Sequence, residues 1–183
     1  RKFALNFGAQ LAVLGSQFII SFILTPIVLE KLGDEAYGFV GLVNNFVSYV
    51  SIVTAALNAM ASRFITVSYH SGDKNAAEEY FTSVFLSNVV MATAVLAGSV
   101  ILALNIEGLV SVSPELVTDL RITVVIAFLN AAIGLVTVVF GVAAFIKNEL
   151  FLNSVGQLLG SILRVSMLFA LFFFAVPHMW YFS

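Results

Sequence analysis

The 183-residue sequence contains no cysteine, which excludes disulfides, thiol nucleophiles and cysteine-bound metals. Charge is nearly as scarce: Asp, Glu, Lys and Arg make up 10% of the residues, against about 25% in an ordinary soluble domain. Eight basic and ten acidic side chains give a net charge of -2, and no Lys/Arg-rich tract occurs, so nucleic acid and heparin are not expected as partners. The two histidines, His70 and His178, form no HxxxH pair, and no nucleophile motif or phosphate-cradling glycine loop accompanies them. The protein is therefore not expected to be an enzyme, and no metal or other cofactor is expected.

Apolar residues fill the space that charge leaves. They make up 61% of the chain, more than a soluble fold of this length can hide, and they recur in uncharged stretches near or above the roughly 18 to 20 residues that cross a bilayer. Five spans emerge, at about 3–29, 37–64, 80–104, 116–146 and 151–176. Runs this long without strand-like alternation exclude a barrel, which leaves a bundle of about five transmembrane helices in a single helical domain over 1–183.

Turn signals separate the spans. Gly33-Asp34-Glu35 divides the first pair. In the next loop, Asn75 and Glu78 have the spacing of an N-cap and a residue reaching back to it. Ser113-Pro114-Glu115 reads as an N-cap serine with proline at the first helical position. The loop Lys147-Asn148-Glu149 is so short that the last two spans are expected to be antiparallel neighbours. Pro26 is expected to kink the first span or to mark its end. With the N-terminus in the cytoplasm, Arg1, Lys2, Arg63, Lys74 and Lys147 lie inside, against Lys31 and Arg121 outside, so the positive-inside rule predicts that orientation. The first apolar stretch is too long for a signal-peptide core. A chain running from Arg1 to an aromatic cluster before Ser183 reads as a fragment of a longer protein.

Polar residues inside the spans line up at 100° per residue. The second span carries Asn44, Ser48, Ser51, Ala55, Asn58 and Ser62 in one stripe. The fourth carries Thr123, Asn130, Gly134, Thr137 and Gly141, the fifth Asn153, Gln157, Gly160, Ser161 and Arg164, and the first Asn6, Gln10, Gln17 and Ser21. Such residues either pack helices together or line a water-filled cavity. Stripes on four of five spans, rich in amides with two hydrogen-bonding ends, favour the cavity for the set as a whole.

Arg164 lies thirteen residues after Phe151, about 20 Å along the helix and near the midplane of a core about 30 Å thick. An arginine there costs on the order of 2.5–3.5 kcal/mol on insertion scales and normally faces a cavity or a partner charge. Every Asp and Glu falls in a loop or near a span end. An unpaired guanidinium in a polar stripe suits an anion such as phosphate; the alternative is an ion pair with a part of the protein beyond this chain. Arg121 is a weaker candidate that also reads as an interfacial anchor, and Arg63 reads as an orientation anchor.

The stretch LTPIVLEKLGDEAYGFVGLVNNF (Leu24 to Phe46) ends a proline-containing helix in "LG" and opens the next with acidic residues and "YG". With AMASRFITVSYHSGDKNAAEEYFTSVF (Ala59 to Phe85), it resembles the polysaccharide exporters and O-antigen flippases of the multidrug/oligosaccharidyl-lipid/polysaccharide (MATE-like) superfamily. The resemblance implies most of the N-terminal lobe of a transporter of about twelve to fourteen helices, with the C-terminal half outside this chain. It also implies alternating-access flipping of undecaprenyl-pyrophosphate-linked oligosaccharide across a bacterial or archaeal inner membrane, with H+ or Na+ as candidate coupling ions. Within that frame Arg164 is expected to take the diphosphate, with Asn44, Asn130 and Gln157 on sugars and Arg121 as a further substrate contact. A multidrug exporter is the nearest rival, disfavoured because the spans hold no carboxylate for a proton relay. A lipid II flippase and a non-transporting membrane scaffold are further alternatives.

Overall fold

The computed structural model describes residues 2–146, 150–174 and 178–182, without the side chains of residues 2–6, 9, 10, 12, 24, 53, 57, 143–145, 150–154, 164, 168, 169, 171–174 and 182. Every regular element among them is helical: α1 (Lys2–Leu32), α2 (Asp34–His70), α3 (Lys74–Leu104), α4 (Ile106–Leu109), α5 (Val117–Thr137), α6 (Phe140–Ile146), α7 (Leu150–Phe174) and a final 3-10 turn, Met179–Phe182. Among the described residues, four helices are long and apolar enough to cross a membrane: α1 over Val13–Leu32, α2, α3 and α5; α7 adds the apolar stretch Val155–Met167.

The corner between α1 and α2 is a single residue. Gly33 has φ 81°, a left-handed conformation that costs a residue without Cβ little. Its N–H donates to Leu29 O at 3.0 Å, and Tyr37 N donates to Gly33 O at 3.1 Å. Asp34 and Glu35 then fill the first turn of α2, where carboxylates complement the helix dipole. Pro26 lies inside α1, which continues to Leu32.

Three local expectations are corrected. The N-cap of α3 is Asp73 rather than Asn75: its Oδ1 accepts from Ala76 N at 3.0 Å. Ser113 does not cap α5. Its N–H and hydroxyl donate to Glu35, at 3.0 and 2.7 Å, tying the start of α2 to the loop before α5, while α5 begins at Val117 after Leu116 without a side-chain cap. The stretch 116–146 is divided rather than continuous, because Gly141 N and Val142 N reach back only three residues, to Val138 O and Val139 O. Thr137 back-bonds to Ile133 O at 2.8 Å and Gly134 O at 3.2 Å just before the break, as Thr54 does within the unbroken α2. The loop 147–149 lies outside the described residues.

α2, α3 and α5 form the central bundle, with α3 packed most extensively on α5, while α1 pairs mainly with α7. The buried face of α3 (Ala77, Asn88, Ala92, Ser99 and Ala103) is made of small or amide residues, as expected where lipid tails are as apolar as leucine and contact depends on close approach. The main core, with Val40, Val43, Leu120, Val124 and Phe128, sits at the Gly33–Ser113 end and is closed by Met179, which has 0% exposure. His178 Nδ1 lies 2.9 Å from Asp119 Oδ2, and Trp180 stacks on the same imidazole at 5.6 Å. The final turn is thus clasped onto the start of α5.

Candidate functional site

On α2, Ser51, Ala55 and Asn58 recur at i, i+4 and i+7, and Ala131, Gly134 and Leu135 of α5 with its C-cap Val138 recur at i, i+3, i+4 and i+7, so each set faces one way. The two faces meet as the walls of a groove of about 250 Å³, with Val50 and Thr54 completing its lining. A Cβ built on Gly134 meets nothing within 4 Å. Gly134 therefore opens the groove instead of seating a neighbouring helix.

The hydroxyls on this face are spent on their own helix. Ser51 donates to Val47 O at 3.0 Å, Thr54 to Val50 O at 3.0 Å and to Ser51 O at 3.1 Å, and Ser48 to Asn44 O at 2.8 Å. Of these, Ser51 is the exposed hydroxyl in the groove lining, while Thr54 is buried and Ser48 lies outside the lining.

Asn58 has a different role from the rest of its stripe. Its Nδ2 donates to Thr54 O at 2.9 Å, and its Oδ1 accepts from Asn88 Nδ2 at 2.9 Å. Both asparagines are buried, so this amide pair fastens α2 to α3. Thr123, read as part of the stripe on the fourth span, has 1% exposure and donates to Asp119 O at 2.6 Å. At those two positions the polar stripe is a helix seam.

Asn44 is exposed two turns before Ser51, and Asn130 is exposed one turn before Gly134, so both lie on the groove-bearing faces of α2 and α5. Gln157 is exposed on α7, which packs on α1, and its carbonyl accepts from Ser161. Arg121 is held elsewhere. Its Nη2 donates to Glu107 Oε1 at 2.7 Å, beside a separate pocket of about 520 Å³ that includes Ser111 and Thr118. The side chain of Arg164 lies outside the described residues; its backbone falls two turns after Gln157 on α7.

Sequence reasoning missed Asn88. The signal was an amide four residues before Ala92, on the face that continues through Ser99 and Ala103. It also passed over His178, whose partner Asp119 is 59 residues away. Among the described residues no three His, Asp or Glu side chains group closely enough to hold a metal ion.

Over 182 residues, 98% of its length, the chain is 31% identical to the uncharacterized membrane protein EpsK of Bacillus subtilis (strain 168). It spans about a third of that relative, 35% of its length. No protein-family model matches the chain, and no solved structure does. The apolar membrane-length helices and the membrane-protein relative lead to one conclusion: the chain is an all-helical, multi-pass protein of the cell membrane.

Proposed function

We propose that the chain is part of a membrane transporter of the polysaccharide-exporter type, a flippase that moves undecaprenyl-pyrophosphate-linked oligosaccharide by alternating access. The observation that carries this reading is the groove left between α2 and α5, with the exposed Asn44 and Asn130 on the same helix faces as its lining residues Ser51 and Gly134. Exposed amides on two helix faces that flank a groove are suited to hydrogen-bond saccharide hydroxyls. In this reading the N-terminus is cytoplasmic, the chain forms most of one lobe, and the protein translocates its substrate without altering it chemically. Arg164 takes the diphosphate, because a mid-span guanidinium remote in sequence from every acidic residue needs an anion.

The test uses the absence of native cysteine from this chain. In the complete protein, with any cysteines outside this stretch replaced, Arg164→Cys and Ile162→Cys are each exposed to a membrane-impermeant thiol reagent. Labelling at 164, none at 162, and protection of 164 by lipid-linked saccharide is the expected result. An unlabelled position 164 moves the arginine into a buried structural pair and overturns its substrate role. Arg164→Leu is expected to abolish export while leaving expression unchanged; normal export by that variant would overturn the same assignment.

A further inference from the structure

The α2–α5 groove does not end at Val138. Past that residue a second groove, of about 530 Å³, runs along α2 toward its C-terminal end, between Arg63, Thr66 and Val67 on one side and Val138, Gly141 and Val142 on the other. Three observations bear on what it holds.

Arg63 is exposed and forms no ion pair among the described residues, whereas Arg121 is paired with Glu107. Thr66 Oγ1 is buried without a hydrogen-bond partner. Thr54, Thr82, Thr93, Thr123 and Thr137 all donate to a carbonyl three or four residues back, so the geometry of a helix does not by itself leave a threonine unsatisfied. An orphaned polar group in that position is costly, and the described residues supply no partner for it.

The third observation is depth. α2 has 37 residues, about 55 Å of helix against a hydrocarbon core of about 30 Å, so its ends must project toward the headgroups. Next to Arg63, Phe64 stacks on Tyr80 at 5.7 Å, and Tyr69 is exposed one turn further on. Aromatic residues with polar tips mark the level where lipid phosphates lie. Beside the cation, Val67 and Val138 expose apolar surface along the groove.

We propose that this groove is a binding site for an anionic glycerophospholipid, with its phosphate on Arg63 and Thr66 and an acyl chain along Val67, Val138 and Val142. The guanidinium fork matches phosphate oxygens in pairs, and the threonine hydroxyl gains the acceptor it lacks. The apolar walls take the chain. The occupant lies against the break between α5 and α6 and fills the space between that break and α2. This proposal does not depend on the flippase reading: a bound membrane lipid is compatible with a transporter or a scaffold.

The test is native mass spectrometry of the complete protein released from nanodiscs containing equal amounts of phosphatidylglycerol and phosphatidylcholine. Phosphatidylcholine carries the same phosphate with a choline cation that Arg63 repels. One phosphatidylglycerol retained about tenfold over phosphatidylcholine is expected for the unaltered protein. Arg63→Gln is expected to abolish the preference, Arg63→Lys to keep part of it, and Thr66→Val to weaken retention roughly threefold, all with unchanged monodispersity in size-exclusion chromatography. No preference in the unaltered protein, or a full preference in Arg63→Gln, overturns the proposal. Displacement of the retained phosphatidylglycerol by an equimolar amount of undecaprenyl pyrophosphate also overturns it, because the groove is then a site for transported lipid.

Discussion

The two ends of the α2–α3–α5 bundle differ: one is closed, and the other, where α6 joins it, is open. At the Gly33–Ser113 end, Leu120, Val124 and Phe128 meet Val40 and Val43 under Met179, and side-chain bonds from distant sequence lock the rim: Ser113 on Glu35 and His178 on Asp119. At the Arg63–Val142 end the cores shrink to Ile65, Val139 and Val142, and to Ala92, Ala132 and Leu135, and two grooves separate α2 from α5 and α6. The difference follows from residue size and from the break after Thr137. Large aliphatic side chains interdigitate in the closed half, while Ala131, Gly134 and Gly141 leave room in the open half. One polar stripe therefore serves two purposes: Thr123 is sealed where the helices converge, and Gly134 is open where they part.

The largest expected effect lies in the closed half. Leu120 has 0% exposure, so Leu120→Ala leaves a cavity and is expected to cost about 2 kcal/mol or more, read as a lowered unfolding midpoint in detergent micelles. The same truncation of Val138, 46% exposed in the open half, is expected to cost far less. Equal costs would remove the contrast between the two halves.

How much of this was legible in the sequence depends on the range of the interaction. The helical membrane class follows from composition and run length, and the Gly33 corner from one residue next to two acids. The facing of Asn44, Ser51, Asn130 and Gly134 follows from periodicity alone, because a helix fixes side-chain direction locally. Gln157 and Arg121 depend on tertiary placement: α7 packs on α1, and α4 carries Glu107 to Arg121, neither of which leaves a periodic signature. Ser113 looks like a cap from its neighbours, yet it bonds a residue 78 positions away. The break at Val138 was hidden because Thr137 and the two valines after it read as ordinary span residues, and only the three-residue backbone bonds of Gly141 and Val142 show it.

The amide pair is the next measurement in size. Asn88→Ala removes the donor to Asn58 Oδ1 and leaves that oxygen buried in the seam, which is expected to cost about 1–3 kcal/mol. A double-mutant cycle with Asn58→Ala is expected to give a coupling of about 0.6 kcal/mol, the average for interhelical hydrogen bonds in membranes, and no more than about 1.7 kcal/mol. No coupling would mean that the stripe at Asn58 belongs to the open groove rather than to the seam. A smaller effect of opposite sign is expected from Gly134→Ala. The added methyl meets nothing within 4 Å and removes backbone freedom from the unfolded chain, so stability is expected to rise by about 0.5–1 kcal/mol. A loss of stability there would show that the groove closes on Gly134 in the complete protein.

The smallest effect contrasts the two arginines. Arg121 and Glu107 form a 2.7 Å pair whose side chains are 41% and 59% exposed. Pairs of that exposure are worth about 0–1 kcal/mol, so Glu107→Gln is expected to change unfolding stability by less than about 1 kcal/mol, and less again at high salt. Arg121 Nε, however, is buried without a partner, so part of this guanidinium is already out of water while its Nη2 depends on one carboxylate. A loss above about 2 kcal/mol in Glu107→Gln would mean that the pair is desolvated, because an uncompensated buried charge costs several times more than a surface pair contributes. The closed end would then hold its arginine as a structural tie. The contrast with Arg63, which has no such carboxylate among the described residues, would become a difference in function rather than in exposure.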